Sequence, residues 1–155
     1  MFLTVDDIDL DGNRDIIVAL DAQRIVLYLG AAGVQPHYTK TVVSLPGYVG
    51  RAKAVRVGDV DLDGFKDVVV TTEGARDKVG VFWLKLQPAG DATSWDVHPI
   101  SGVQGAKYDL VELIDLDGDG DLDAVTTEEN AGLGLVWYEN PTKRWMPVTT
   151  SSPNR

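Results

Sequence analysis

The sequence predicts an all-β fold of three four-stranded antiparallel blades, the unit from which β-propellers are built. The main observation is a loop pattern, D-x-D-x-D-G-x-x-D, that occurs at residues 7–15 (loop 1), 59–67 (loop 2) and 115–123 (loop 3). The first aspartates of these loops, Asp7, Asp59 and Asp115, lie 52 and 56 residues apart, a period in the range of propeller blades. Alternating and β-branched runs flank the loops and predict short strands, whereas no stretch has helical periodicity.

Four strands are predicted in each repeat, separated by clusters of Gly, Pro, Asn and Asp that favour turns. The first strand precedes the loop, at residues 52–57 and 108–113, and in the first repeat only six residues precede Asp7. The second strand follows the loop directly, at residues 16–18, 68–70 and 125–127. The third is predicted at residues 25–29, 81–85 and 135–139, and the fourth at residues 38–43, 95–100 and 145–150. The predicted blades of this single repeat domain (residues 1–155) are 1–48, 49–104 and 105–155.

The loops have the chemistry of a metal site. Aspartates placed one residue apart repel one another unless a cation neutralises them. Carboxylates at positions 1, 3 and 5 of such a tight loop can converge on one side, and glycine at position 6 permits the positive φ of the turn. Ca²⁺ takes six to eight hard oxygen ligands, whereas Mg²⁺ prefers a strict octahedron with several waters. The loops contain no His or Cys, which disfavours zinc.

An EF-hand opens with the same D-x-D-x-D-G, so the two kinds of calcium loop must be distinguished. An EF-hand needs a bidentate Glu at position 12, followed by a helix. Position 12 is Val18, Val70 or Thr126 here, and a strand follows. The fourth carboxylate comes at position 9 instead. The sequence therefore predicts a calcium loop within a strand-to-strand turn.

The chain resembles the FG-GAP and VCBS repeats of integrin-α-like and bacterial propellers, whose calcium loops have this pattern. Residues 134–141 (GLVWYENP) and 95–100 (WDVHPI) also resemble strands of bacterial VCBS proteins. The resemblance implies about three Ca²⁺ per chain, each held by the side chains at positions 1, 3, 5 and 9, by the carbonyl at position 7 and by water. The implied side-chain ligands are Asp7, Asp9, Asp11, Asp15, Asp59, Asp61, Asp63, Asp67, Asp115, Asp117, Asp119 and Asp123. The implied carbonyl ligands are those of Asn13, Phe65 and Asp121.

The composition limits the kinds of binding partner and the cellular locations that can be expected for the protein. There are 24 acidic and 14 basic residues, a formal charge of −10, which argues against binding to nucleic acid or anionic membranes. Three Ca²⁺ would reduce this to about −4, since −10 plus three times +2 is −4. No apolar run has the length of a membrane-spanning helix, and the absence of cysteine excludes disulfides. Exposed calcium loops favour an extracellular or periplasmic location, although the first residues do not resemble a signal peptide.

Other side chains are candidates for chemistry, but a structural role is the favoured interpretation for each. His37 and His98 do not recur between the repeats, and no G-x-S-x-G, H-E-x-x-H or phosphate-binding loop is present, so no catalytic residue is predicted. One acidic residue recurs six positions after each loop, as Asp21, Glu73 or Glu129, and is interpreted as part of a solvated turn. The tryptophans recur in two equivalent pairs, Trp83 with Trp137 and Trp95 with Trp145, which predicts blade-to-blade packing.

Three blades do not close a ring, because propellers have about four to eight. Either the chain is a fragment of a longer propeller, or two chains form a homodimer with six blades, which is the favoured prediction. For function, the favoured hypothesis is a non-enzymatic adhesion or self-assembling scaffold that binds protein or carbohydrate. The alternative is an enzyme, or an accessory domain of one, that acts on polysaccharides or sugar derivatives.

Overall fold

The structure, a computed structural model, describes residues 2–143 apart from residues 22, 34, 36 and 87–94. Within this part of the chain there are eleven β-strands in three antiparallel sheets, so the predicted all-β fold is confirmed. Blade 1 contains β1 (Leu3–Asp6), β2 (Asp15–Asp21), β3 (Arg24–Ala31) and β4 (His37–Ser44). Blade 2 contains β5 (Arg51–Gly58), β6 (Asp67–Glu73), β7 (Val81–Leu86) and β8 (Trp95–Pro99). Blade 3 contains β9 (Tyr108–Ile114), β10 (Asp123–Glu128) and β11 (Gly134–Tyr138).

Strands that are consecutive in sequence are also neighbours within each sheet. The short segment before Asp7 forms β1, so blade 1 is a complete four-stranded sheet. The fourth strand predicted for blade 3, at residues 145–150, lies outside the described residues. In the part of the chain that the structure describes, no helix has the length and apolarity that crossing a membrane requires.

Each Asp loop joins the first and second strands of its blade in the same register. The residue at loop position 9 begins the second strand and pairs with the last residue of the first. These pairs are Asp6 with Asp15, Gly58 with Asp67, and Ile114 with Asp123. The three loops therefore lie at equivalent corners of the three blades.

The blades stack in chain order, and β6 at the centre shows how. Val68 and Val70 pack into the apolar core between blades 1 and 2, while Val69 packs into the core between blades 2 and 3. Successive side chains of a strand point to opposite faces, so a strand covered on both faces has an unbroken apolar run. The three consecutive valines of β6 follow from this position in the stack.

Two hydrophobic cores hold the stack together. The first joins Ile17 and Leu27 of blade 1 to Val55 and Phe82 of blade 2. The second joins blades 2 and 3 and includes Val69, Val81, Tyr108, Val111 and Ala124. At about 25 cal/mol per Å² of apolar surface removed from water, these two interfaces are the main stabilisation of one blade by the next.

The first strands of neighbouring blades are also joined by polar contacts. The amide of Phe2, just before β1, donates a hydrogen bond of 2.8 Å to the carbonyl of Lys53 in β5. The Lys53 ammonium forms an ion pair with Asp109 of β9. Arg56 Nη2 of β5 lies 2.8 Å from Glu112 Oε1 of β9. Lys53 and Asp109, like Arg56 and Glu112, are 56 residues apart and so occupy matching positions in successive repeats.

The two ends of the stack expose apolar side chains. On blade 1, Leu3 is 54% and Val5 is 50% exposed, and on blade 3, Leu135 is 74% and Trp137 is 46% exposed. Trp83 packs against the core between blades 2 and 3, as the repeat predicts. The prediction of a core position is wrong for the equivalent Trp137, because its side chain lies on the exposed face of blade 3. Trp95 packs against the core between blades 1 and 2, and Trp145 lies outside the described residues.

Candidate metal centres

The three Asp loops fold through the same hydrogen bonds. The carboxylate at position 1 accepts a bond from the amide of the position 6 glycine, and the carboxylate at position 5 accepts one from the amide of position 7. The first set is Gly12 N to Asp7 Oδ2 (2.9 Å), Gly64 N to Asp59 Oδ2 (3.0 Å) and Gly120 N to Asp115 Oδ2 (3.0 Å). The second set is Asn13 N to Asp11 Oδ1 (2.7 Å), Phe65 N to Asp63 Oδ1 (2.9 Å) and Asp121 N to Asp119 Oδ1 (3.0 Å). Side chain-to-backbone bonds of this kind compete with regular structure and favour turns.

Positive φ angles occur at two positions of each loop, one more than the sequence predicts. Position 6 is the expected one, with φ of 88°, 91° and 92° at Gly12, Gly64 and Gly120. Position 4 is also left-handed, at Leu10 (φ 61°), Leu62 (φ 60°) and Gly118 (φ 82°). A side chain in this region costs roughly 1–2 kcal/mol. Leu10 and Leu62 are substantially exposed, so burial of their side chains offsets little of this cost. The left-handed conformation is therefore required by the turn of the loop backbone.

The aspartates at position 9 fasten the loops to the blades. Asp15, Asp67 and Asp123 are almost completely buried. Each accepts a hydrogen bond from the amide at position 2, over 2.8 Å from Ile8, 2.9 Å from Val60 and 3.1 Å from Leu116. The second oxygen of Asp15 accepts from Gly30 N at 2.7 Å, and that of Asp123 accepts from Asn140 N at 2.8 Å. These bonds tie the loop to the third-strand region of the same blade.

Three carboxylates converge in every loop. In each set, one oxygen per residue lies within 4.8 Å of the others. The sets are Asp7, Asp9 and Asp15 in loop 1, Asp59, Asp61 and Asp67 in loop 2, and Asp115, Asp117 and Asp119 in loop 3. Of the predicted side-chain ligands, Asp11, Asp63 and Asp123 do not belong to a convergent set. Asp11 and Asp123 use both oxygens in hydrogen bonds, as Asp15 also does, and the donors to Asp11 are the amide and side chain of Asn13.

One buried carboxylate oxygen per loop has no hydrogen-bond partner within the described part of the chain. These oxygens are Asp7 Oδ1, Asp61 Oδ1 and Asp121 Oδ1. A buried acceptor without a partner costs roughly 1–3 kcal/mol, and more when it is charged. In loops 1 and 2 the unsatisfied oxygen belongs to a member of the convergent set, whereas Asp121 lies outside the set of loop 3. Three convergent carboxylates are a donor set that fits a hard cation. The three clusters can therefore hold metal ions.

Burial, and after it repulsion between neighbouring carboxylates, raises the pKa values of two aspartates in the loops. Burial raises the pKa of Asp67 to about 7, and the nearby charges of Asp61 and Asp63 act in the same direction against the hydrogen bond from Val60. Burial, followed by the charge of Asp15, raises the pKa of Asp9. A cation bound to either cluster would favour the charged form and reverse these shifts.

Loop 2 differs from the other two, within the described residues, because a lysine forms ion pairs with its carboxylates. The Lys85 ammonium of β7 forms an ion pair with Asp61 and lies 2.7 Å from Asp63 Oδ2. Its hydrogen bond is the main reason why the pKa of Asp63 is lowered. Sequence reasoning missed Lys85, since only the pairing of β6 with β7 brings it to the loop.

The recurring acidic residues after each loop are paired with basic side chains. Asp21 forms an ion pair with Arg24, Glu73 with Arg51 and Glu129 with Lys107. The ring of His98 stacks on Trp83, with centroids 4.2 Å apart. A cavity of about 560 Å³ between blades 2 and 3 is lined by neither His98 nor the three acidic residues. The structure thus places these candidates in turns and packing contacts.

Glu128, one residue before the predicted Glu129, is the buried carboxylate that sequence reasoning missed. It is 1% exposed and accepts hydrogen bonds from the amides of Ala106, Lys107, Asn130, Ala131 and Leu133, at distances from 2.8 to 3.3 Å. Burial by itself would raise the pKa of Glu128, but the hydrogen bonds outweigh burial, and the net result is a pKa lowered to about 2. Glu128 organises the turn between β10 and β11 and the segment before β9.

The family model for the FG-GAP-like repeat matches residues 7–70 and 59–126. Each match begins at the first aspartate of one loop and ends in the strand after the next loop, so together they span residues 7–126. The chain belongs to the FG-GAP-like repeat family. FG-GAP repeats form β-propellers, and the stacked antiparallel sheets of this chain agree with propeller blades. A comparison with curated proteins finds no significant match.

Proposed function

We propose that this FG-GAP chain is a calcium-stabilised propeller module that acts as a non-enzymatic binding or adhesion scaffold. The observation that carries the proposal is the convergence of three carboxylates in each of three equivalent loops. Ca²⁺ fits this donor set better than Mg²⁺ or Zn²⁺ because the loops offer many hard oxygens and no nitrogen or sulfur ligand. The ions would be held by the convergent carboxylates, with the position 7 carbonyls and water as further ligands.

The role of calcium in this proposal is structural. Each loop joins the first and second strands of a blade, and its position 9 aspartate accepts a hydrogen bond from the position 2 amide of the same loop. In loops 1 and 3 this aspartate also accepts one from the third-strand region of the blade. A cation there removes the repulsion between the carboxylates and fixes the corner of the sheet. A ligand that binds only the folded state stabilises it by mass action.

Removal of calcium tests this role. Protein purified in calcium is expected to contain metal by elemental analysis and to unfold at a lower temperature after dialysis against EDTA. Calcium added back should restore the original unfolding temperature, while an equal concentration of magnesium should restore less. An unchanged unfolding curve in EDTA, with no metal in the protein, would contradict the calcium proposal.

The proposed partner is a second copy of the chain, in a homodimer with six blades. The repeat equivalence supports this partner. Trp83 of blade 2 faces blade 3, and the equivalent Trp137 lies on the exposed face of blade 3, beside Leu135. The opposite end exposes Leu3 and Val5 on the face of blade 1 that corresponds to the covered face of blade 2. Blade 3 of one copy against blade 1 of the other would repeat the existing blade-to-blade contact twice and close the ring.

Light scattering coupled to size-exclusion chromatography tests the homodimer. The proposal predicts the mass of two chains, independent of concentration over the micromolar range. A soluble monomer would contradict it.

Calcium affinities of about 10⁻⁴–10⁻³ M are typical of extracellular modules, and this chemistry supports an extracellular or periplasmic location. A protein or a carbohydrate would there be the ligand of the assembled ring.

A further inference from the structure

The third strands of the three blades carry different residues at one equivalent position. In each blade the first residue after the Asp loop pairs with a residue of the third strand, and the position in question is the next one along that strand. Ile16 pairs with Tyr28, Val68 with Leu84, and Ala124 with Tyr138. The next residue along the third strand is Leu29 in blade 1, Lys85 in blade 2 and Glu139 in blade 3. One structural position thus carries an apolar, a cationic and an anionic side chain in the three repeats.

The cation at this position reaches into loop 2. Lys85 Nζ forms ion pairs with Asp61 and with Asp63 Oδ2, the latter at 2.7 Å, and the Lys85 side chain is only 24% exposed. Asp61 is also one of the three convergent carboxylates of that loop. Within the described residues, no lysine or arginine forms an ion pair with a carboxylate of loop 1 or loop 3. Arg14 and Lys66 lie within loops 1 and 2, and Lys143 Nζ lies beside Gly120 of loop 3. Among the described residues, however, Lys85 is the cation that forms ion pairs with loop carboxylates.

We propose that Lys85 is an internal counterion of loop 2, which competes with the bound metal and makes this loop the weakest of the three calcium sites. A divalent ion that takes Asp61 as a ligand meets the ammonium charge at the same carboxylate. Two cations this close repel each other strongly at the reduced dielectric of a partly buried site. The same ammonium offsets the repulsion between Asp61 and Asp63 when calcium is absent, so loop 2 depends least on the ion.

Calcium titration of K85M by isothermal calorimetry tests the competition. Met keeps the length of the side chain without its charge, and Lys66→Met, at position 8 of the same loop, is the matched control for loss of a positive charge. Asp59→Asn identifies the loop 2 site, because it should remove the weakest class of binding. K85M is expected to tighten that class about tenfold or more, and Lys85→Gln should shift it in the same direction, whereas K66M should change it less than about threefold.

A second readout does not depend on calcium. In EDTA, K85M should unfold at a lower temperature than the parent protein, while K66M should not. In excess calcium, the deficit of K85M should disappear.

The inference rests on the proposed calcium binding, and the outcomes separate the two. Absence of calcium binding at all three loops would overturn the proposed function and the competition with it. Calcium binding at loops 1 and 3, with an unchanged loop 2 affinity in K85M, would overturn the competition alone. A K85M variant as stable as the parent in EDTA would overturn the counterion role.

Discussion

The side-chain amide of Asn140 donates a hydrogen bond of 2.7 Å to the carbonyl of Val60, 80 residues earlier in the chain. The same nitrogen donates to the carbonyl of Leu122 at 3.1 Å. Val60 belongs to loop 2 and Leu122 to loop 3, so one buried amide joins the candidate metal loops of neighbouring blades. The backbone amide of Asn140 also donates to Asp123 Oδ1, which places the residue at the junction of blades 2 and 3.

Replacement of Asn140 by alanine is therefore expected to lower the free energy of unfolding by roughly 1–3 kcal/mol. The reason is that the buried carbonyl of Val60 and the partly buried carbonyl of Leu122 lose the donor they share. Chemical denaturation measures the change. Asn130→Ala, at an exposed asparagine in the β10–β11 turn, is the control and should stay within about 0.5 kcal/mol of the parent. Equal stability of the two variants would contradict the role of Asn140.

The left-handed backbone at loop position 4 leads to a prediction for Gly118. Gly118→Ala should destabilise the protein by about 1 kcal/mol. A Cβ at Gly118, whose φ is +82°, would meet no atom within 4 Å, so the cost is conformational and does not come from a clash. Gly47 has equally open surroundings and no positive φ, and Gly47→Ala should be neutral or slightly stabilising. Thermal unfolding of the two variants, compared at one calcium concentration, measures the difference.

The buried carboxylate of Glu128 is expected to make the stability of the protein depend on pH in the acid range. Its pKa in the folded protein is lowered to about 2 from 4.5, so the folded state binds the proton less well than the unfolded state does. Its stabilisation is complete above about pH 4.5 and is lost as the pH falls towards 2.

The variant Glu128→Gln checks this contribution. It should lower the free energy of unfolding at pH 7 by roughly 2 kcal/mol, because the backbone amides lose a charged acceptor. It should also unfold with a shallower pH dependence between 4.5 and 2. Glu129→Gln serves as the control, because the Glu129 carboxylate is exposed and pairs with Lys107 at the surface. A parallel pH profile for the parent and E128Q would speak against the assignment.

The exposed face of blade 3 gives a test of assembly by mutation. Trp137→Glu places a charge at the centre of the proposed contact between two copies, where burial without a partner is costly. The variant is expected to elute as a monomer with the mass of one chain. Val103→Glu, at an exposed apolar residue outside the strands, should leave the homodimer intact. Dissociation by both variants, or by neither, would count against this contact surface.

Much of this fold was predictable from the sequence, because the repeat places each element three times. The loop pattern predicts where the first strand ends and the second begins, and the β-branched run after each loop predicts the second strand. The short β1 is less obvious, since its pairing with β2 is what makes it a strand.

The parts that sequence reasoning missed depend on contacts between distant segments. Glu128 accepts hydrogen bonds from amides more than 20 residues earlier, and backbone amides have no signature in the sequence. Lys85 reaches loop 2 only through strand pairing, and Trp137 is exposed because of its place at the end of the stack. The positive φ of Leu10 and Leu62 was also missed, since leucine seldom adopts it.

Native mass spectrometry can count the calcium ions that the three Asp loops are proposed to bind, one in each loop. The chain in calcium is expected to carry three ions, and Asp7→Asn, Asp59→Asn and Asp115→Asn should each reduce that number by one. A chain that carries no calcium, or whose calcium count is unchanged in all three variants, would overturn the proposed calcium binding.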